Sequence, residues 1–188
     1  MPKILIAYYS RTGENYVSGQ LKMLKKGNTE VVAEKIAALT GGELFKIEQV
    51  KPYATGYNDC IEQACTDQRS NARPAITNTL ADPERYDVIY LGYPNYWGTM
   101  PMAVFTFLET YGFAGKIIRP FCTHEGSGLG SSLSDICRLC PGATVKPGLA
   151  VHGSRIAEAE KTIEKWVSEE NGKESEIRRT GSKRGYKQ

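Results

Sequence analysis

The chain has 188 residues, 40% of them hydrophobic and 24% charged, which suits one globular domain burying roughly 70% of its unfolded surface and excludes a disordered or fibrous class. Its net charge of +3 belongs to one end: residues 177–188 hold five basic groups (Arg178, Arg179, Lys183, Arg184 and Lys187) and no acidic one, and taking those five from +3 leaves −2 for the rest. That distribution excludes a basic nucleic-acid groove.

Lys3 to Tyr9 (K-I-L-I-A-Y-Y) is an almost continuous apolar run ending in Ser10-Arg11-Thr12-Gly13, and reads as a buried strand. Gly27-Asn28-Thr29-Glu30 opens a helix whose Val31, Val32, Ala33, Ile36, Ala37 and Leu39 suit one apolar face, and Gly41-Gly42 closes it. A strand, a hydroxyl-rich loop and a helix N-terminus form the arrangement in which free backbone N–H groups and the helix dipole hold a phosphate. Neither G-x-x-x-x-G-K-[ST] nor G-x-G-x-x-G follows the strand; hydroxyls and an amide stand where those motifs place glycines and a lysine. Such neutral donors suit a phosphate monoester held without metal or lysine. The alternative is an ordinary strand-to-helix turn capped by Asn28 or Thr29. Residues 13–26, with Lys22, Lys25 and Lys26 and only Glu14 acidic, are expected to loop outward beside the site. Asn28 and Thr29, rather than Glu14 and Asn15, are then expected to meet the phosphate.

Glu43 to Glu48 alternates as a second, more exposed strand, which Pro52 ends. Residues 53–80 read as a partly helical insertion, with a helix over Tyr57 to Arg69. Tyr86 to Tyr93 is another buried strand, leaving through Pro94-Asn95-Tyr96-Trp97-Gly98-Thr99-Met100-Pro101. A helix over Val104 to Tyr111 leads to a strand over Lys116 to Cys122, where Pro120 predicts an incomplete ladder near the end. Its exit is Thr123-His124-Glu125-Gly126-Ser127-Gly128-Leu129-Gly130. A helix over Ser131 to Leu139, a fifth strand over Ala143 to Val151 and a helix over Arg155 to Val167, with Ile156, Ala159, Ile163 and Trp166 inward, complete a single domain over residues 1–167. Residues 168–188 read as a polar, basic, mobile tail.

Five β segments alternating with helices imply an α/β fold, a parallel sheet covered on both faces. Ligands of such sheets sit outside the carboxyl ends of the strands, so the loops after strands 1, 3 and 4 can converge on one ligand. Tyr96 and Trp97, between Pro94-Asn95 and Gly98, read as a stacking platform, one of the two being free to cover the core edge instead. The glycines of residues 126–130 let backbone groups approach a ligand closely. A flat, polar-edged heterocycle with a phosphate tail fits these loops, and FMN is such a ligand. The five cysteines (60, 65, 122, 137, 140) include one lone C-x-x-C and no histidine at ligand spacing, which favours structural thiols and no metal site. No apolar stretch reaches the roughly 18 residues of a membrane span. With a core strand at the N-terminus leaving no room for a signal peptide, the expected location is the cytoplasm.

The strand-3 exit, G-Y-P-N-Y-W-G-T-M-P, and the strand-4 exit, T-H-E-G-S-G, resemble those of the flavodoxin-like family, over about residues 1–167. The family's phosphate loop reads approximately [ST]-x-T-G-[NT]-T; Ser10-Arg11-Thr12 matches its first half and Gly27-Asn28-Thr29 its second, with Gly13 to Lys26 between. The resemblance implies FMN and a doubly wound sheet of order 2-1-3-4-5. It places Ser10, Thr12, Asn28 and Thr29 on the phosphate. It further implies that Pro94, Asn95, Tyr96, Trp97 and Gly98 line and stack the flavin, and that Thr123, His124, Glu125, Gly126, Ser127 and Gly128 border its pyrimidine edge. His124 reads as a proton donor, a ring-contacting group or a loop histidine bonded to backbone. Glu125 is expected to point to solvent.

Three functions follow. An FMN-dependent oxidoreductase would leave one flavin face open to a hydride donor such as NAD(P)H or to a small planar substrate; the strand-4 loop, with no Tyr or Trp, fits that. A one-electron carrier resembling flavodoxin proper would sandwich the ring and carry a strongly acidic body, unlike the −2 found by taking the five tail charges from +3. A non-redox receiver domain would need acidic strand ends, where this chain has Tyr8-Tyr9-Ser10. The expectation is an FMN redox protein, an enzyme before a carrier, with no nucleic-acid or membrane partner and its oligomeric state open.

Overall fold

The apolar runs become a sheet whose strands all point one way. The computed structural model describes residues 2–169, so the expected tail lies outside the described residues beyond Glu169. In chain order the elements are β1 (Ile4–Tyr8), β2 (Gly13–Val17), β3 (Gln20–Leu24), α1 (Asn28–Thr40), β4 (Glu43–Lys46), α2 (Tyr57–Arg69), β5 (Val88–Pro94), α3 (Met102–Tyr111), β6 (Ile117–His124), α4 (Ser132–Leu139), β7 (Thr144–Val145), β8 (Leu149–His152) and α5 (160–169). The main sheet runs β4-β1-β5-β6-β7, with β8 also paired to β6, and each pairing is parallel. With β7 and β8 sharing the fifth place, this is the expected 2-1-3-4-5 order.

The fifth strand, expected to be continuous from 143 to 151, is two pieces. Ile117 and Ile118 pair with β7, and Phe121 to His124 pair with β8. Lys146-Pro147-Gly148 crosses the gap opposite Arg119 and Pro120. Alternation along β6 turns Pro120 to the same side as the Ile118 carbonyl, which accepts from Lys146 N–H at 2.9 Å. Neither proline can donate to the ladder, so pairing breaks where both stand. The last helix also starts later than expected: Gly153–Glu158 is a 3-10 turn, with Arg155 off helical geometry (φ −112°, ψ 22°), and α5 begins at residue 160.

Alternation on each strand divides the core. Leu5, Ala7, Ile89, Leu91, Tyr93, Ile118 and Cys122 face one side, packing with α3 and α4 through Phe105, Phe107, Leu108 and Ile136. Ile6, Tyr8, Val88, Tyr90 and Phe121 face the other, against Val32, Ala33 and Ile36 of α1 and Ile163 and Val167 of α5. Arg119 is buried on this second face, donating to the Tyr90 hydroxyl at 2.9 Å. The expected insertion at 53–80 carries α2, the crossover from β4 to β5.

Residues 13–26 are no loop. β2 and β3 form an antiparallel hairpin, registered Gly13↔Leu24 to Val17↔Gln20. Ser18 and Gly19 turn it with φ of 52° and 80°, the positive pair of a type I′ turn, which glycine at the second place favours.

Candidate functional site

The carboxyl ends of β1, β5, β6 and β8 surround two adjoining clefts of about 340 Å3 each. The first is lined by Arg11, Asn15, Tyr16, Asn28, Thr29, Tyr57, Pro94, Asn95, Tyr96, Thr123, His124, Glu125, Gly126, Ser127 and Gly153. The second continues from it along α2, past Cys60, Ile61, Ala64, Trp97 and Gly98.

At the floor of the first cleft is the N-terminus of α1. Its N-cap is Gly27, with no capping side chain of its own; neither Asn28 nor Thr29 caps it. Ser10 does so from β1's exit, its Oγ accepting from Glu30 N–H at 3.1 Å. Only glycine allows that approach: a Cβ on residue 27 would stand 2.2 Å from Ser10 Oγ and 2.4 Å from the Arg11 carbonyl. Val31 N–H bonds the Gly27 carbonyl, which leaves the Asn28 and Thr29 N–H groups without an acceptor among the described residues, as the first turn of a helix requires unless a ligand arrives. Thr29 is buried, its Oγ1 2.7 Å from Thr123 Oγ1.

The β5 and β6 exits are braced together. Asn95 Nδ2 donates to the Gly128 carbonyl at 2.8 Å while its Oδ1 accepts from Gly98 N–H at 3.0 Å. Asn95 N–H donates to the Thr123 carbonyl, and Ser131 N–H to that of Gly98. Thr99 Oγ1 completes the brace on Asp135 at 2.7 Å. Tyr96 lies between the clefts, edge-on to Tyr9, with burial holding its hydroxyl well above the ordinary phenol range. Trp97, 53% exposed, donates from its indole N–H to the Ile61 carbonyl of α2 at 2.8 Å.

Both histidines of the chain meet at this edge, His124 and His152 opposite each other in the β6–β8 register with ring centroids 5.4 Å apart. His124 Nδ1 accepts from Gly126 N–H at 2.9 Å, so the neutral ring carries its proton on Nε2. Burial, and then the neighbouring His152, push the His124 pKa below the ordinary imidazole value, with Glu125 opposing. Glu125 does not point to solvent. Its carboxylate accepts from Ser154 N–H at 2.7 Å, Ser154 Oγ at 3.0 Å and Ser18 N–H at 3.2 Å. Because the Ser154 hydroxyl has one proton and gives it to Glu125, the 2.9 Å contact to His152 must be donated by His152 Nδ1.

The family model for flavodoxin matches residues 3–170. The chain belongs to the flavodoxin family. Among solved structures it is similar to a provisionally assigned flavoprotein of Bacteroides eggerthii, 29% identical over 87% of this chain and 98% of that one, with a TM-score of 0.67. It is also similar to one of Bacteroides uniformis, 25% identical over 89% and 98%, with a TM-score of 0.70. A flavoprotein of Lactobacillus acidophilus in complex with FMN shares the fold, 22% identical over 84% and 98%, with a TM-score of 0.62. No curated protein matches the sequence.

Of the residues that the flavodoxin resemblance places at the site, Asn28, Thr29, Pro94, Asn95, Tyr96, Thr123, His124, Glu125, Gly126 and Ser127 line the first cleft. Trp97 and Gly98 line the second. Ser10 stands behind α1 as its cap, Gly128 supports Asn95 through its carbonyl, and Thr12 is exposed and lines neither cleft. Sequence reasoning left out Arg11, Tyr16, Tyr57 and Gly153, and set Asn15 aside. Arg11 ties the loop down, donating to the carbonyls of Glu14, Ala54 and Thr55. Tyr16 stacks on Tyr57 with centroids 6.0 Å apart, a contact across 41 positions with no local signal. Gly153 follows the fifth strand position, where the rule that ligands sit at strand carboxyl ends would have found it.

Proposed function

We propose that the protein is an FMN-binding oxidoreductase, exchanging hydride or electrons at the flavin N5 with a redox partner or a small planar substrate, NAD(P)H being a candidate donor. The supporting observation is that the uncommitted Asn28 and Thr29 N–H groups share the first cleft with Tyr96, while Trp97 lines the cleft that adjoins it. The residues present fit the cofactor: neutral donors and a helix dipole for a phosphate monoester, flat side chains for a ring system, and Ser127, which lines both clefts, for polar ring edges. The sequence adds no second diphosphate- or adenosine-binding motif to this single phosphate loop.

When bound, FMN supplies hydride and electron chemistry. The chain's own residues then hold and orient. Asn28 and Thr29 bind phosphate, Tyr96 and Trp97 flank the ring, and His124, with Nε2–H free of its backbone bond, is the candidate proton donor. The second cleft takes its aromatic groups from α2 and the β5 exit, and only Ser127 from the β6 exit; that imbalance favours a ring face open to a planar donor, hence an enzyme over a carrier. The one-electron carrier is the second reading, favoured if side chains of this chain cover both faces.

Mass spectrometry of the ligand released by heat, with absorbance of the purified protein, tests the cofactor; a colourless preparation that FMN cannot reconstitute overturns it. Stopped-flow reduction of the loaded protein with NADH and NADPH tests the enzyme, and reduction only through a protein donor selects the carrier.

A further inference from the structure

The hairpin is attached at both sides of the first cleft. On one side, Glu14 accepts from Tyr57 N–H at 2.6 Å, capping α2, and Tyr16 stacks on Tyr57. On the other, the turn's Ser18 N–H bonds Glu125 in the β6 exit, and Glu125 in turn binds Ser154 beyond β8. Asn15 and Tyr16, between those anchors, line the cleft. The junction is tight: a Cβ on Gly153 would stand 2.5 Å from Asn28 Nδ2 and 2.7 Å from Glu125 Oε1.

We propose that the hairpin is a strap fastened by Glu125 across the phosphate end of the cleft, and that this fastening is a specificity determinant, admitting a flavin monophosphate and rejecting a dinucleotide. The inference rests on the FMN reading above. In FAD the second phosphate and adenosine leave from the phosphate that Asn28 and Thr29 would hold. The bridge from Ser18 to Glu125 stands beside Asn28, the Glu125 and Asn28 side chains both crowding Gly153, where it would meet that extension, and the Glu125 carboxylate's charge opposes a further phosphate. A free loop of this length would leave the end open; an antiparallel ladder tied at its tip does not. Glu125 is a positioning residue here, acting through the strap.

The test combines amide hydrogen exchange of the ligand-free protein with FMN and FAD titrations, on the natural chain, Glu125→Ala and Glu125→Gln. Losing a charge-assisted bond at the tip should speed exchange of residues 14–24 by about tenfold, with β1 and β5 unchanged, and narrow the FMN-to-FAD affinity ratio by about tenfold. Unchanged hairpin exchange in both variants overturns the strap. Faster exchange with an unchanged ratio overturns its part in selecting the cofactor. Should Glu125→Ala fail to fold, Glu125→Gln keeps the side chain's size, and Tyr16→Ala loosens the strap from its other anchor with Glu125 intact. If the natural chain binds neither flavin, the FMN reading fails, while the exchange data still decide whether the strap exists.

Discussion

The wall made by the β5 and β6 exits and the wall made by the β2–β3 hairpin face the same cleft but are held differently. The first is knit by backbone and amide bonds between the two exits, with Asn95 joining Gly98 to Gly128 and Ser131 holding Gly98. The second is a two-stranded ladder, a unit marginal by itself in water, held by Glu14, the Tyr16–Tyr57 stack and the Ser18–Glu125 bond. Leu21 and Met23 of β3 stay exposed. A braced wall keeps a planar ring in one orientation; a strap held at its ends can release without disturbing the sheet. Local opening should therefore concentrate in residues 13–24 and spare 94–98 and 123–131.

Breaking the braced wall should have the largest effect. Asn95→Ala removes one bond within the β5 exit and one to the β6 exit, and leaves the Gly98 N–H and Gly128 carbonyl to find other partners, so it should cost about 2 kcal/mol of stability, with FMN affinity falling by at least as large a factor. Urea unfolding and fluorescence titration measure the two; an unchanged midpoint would show that the loops hold without the amide. Next is the aromatic group on that wall. Trp97→Ala should weaken FMN by about 0.5–1.5 kcal/mol beyond the lost burial and restore fluorescence that the indole quenches. If it does neither while Tyr96→Ala does, the ring rests on Tyr96 and Trp97 serves only its bond to Ile61.

The hairpin side is sharpened by a smaller difference. Thr29→Ala keeps the backbone N–H but removes a hydroxyl that can accept from Thr123 Oγ1 and give its own proton to the phosphate, so it should weaken FMN by about 1 kcal/mol, the scale of one hydrogen bond, measured by the same titration. Asn15→Ala should have less effect, because the Asn15 Nδ2 is already committed to the carbonyls of Arg11 and Gly13. The reverse order would place the phosphate on the first half of the split loop.

What was legible in the sequence follows the same division. Strand runs such as Ile4–Tyr8 and Val88–Pro94 declare themselves because burial on both faces demands continuous apolar residues, and α2 was expected over the residues it occupies, Tyr57–Arg69. The two exit loops were legible because each is an unbroken run of turn formers and glycines, although the bonds that join them, from Asn95 to Gly128 and from Ser131 to Gly98, come only with the fold. The hairpin was not, although Tyr16, Val17, Ser18-Gly19 and Leu21 hold a hairpin signal; lysines at 22, 25 and 26 give the stretch the composition of a solvated loop. Glu125 was misplaced because its partners, Ser18 and Ser154, lie far off along the chain and only the fold brings them together.

The smallest expected effect is one of pH, where the two walls meet. His124 is held below the ordinary imidazole value of 6.5, first by burial and then by His152, with Glu125 pulling the other way. The folded chain thus resists the proton that the unfolded chain accepts near 6.5. This contribution to stability is fully present above that value and is lost as pH falls through the window down to the depressed folded value. The ring is partly exposed, so solvent screening keeps the change small. Ligand-free protein should therefore lose stability as pH falls below the ordinary imidazole value of 6.5, as urea midpoints would record. His124→Asn should flatten that dependence, and His152→Asn, by removing the like charge, should move the His124 titration upward in a proton NMR series. If His124→Asn leaves the slope untouched, the acid sensitivity belongs to carboxylates elsewhere. If His152→Asn leaves the His124 titration in place, burial alone sets it, and the two rings at the ends of β6 and β8 are neighbours without electrostatic consequence.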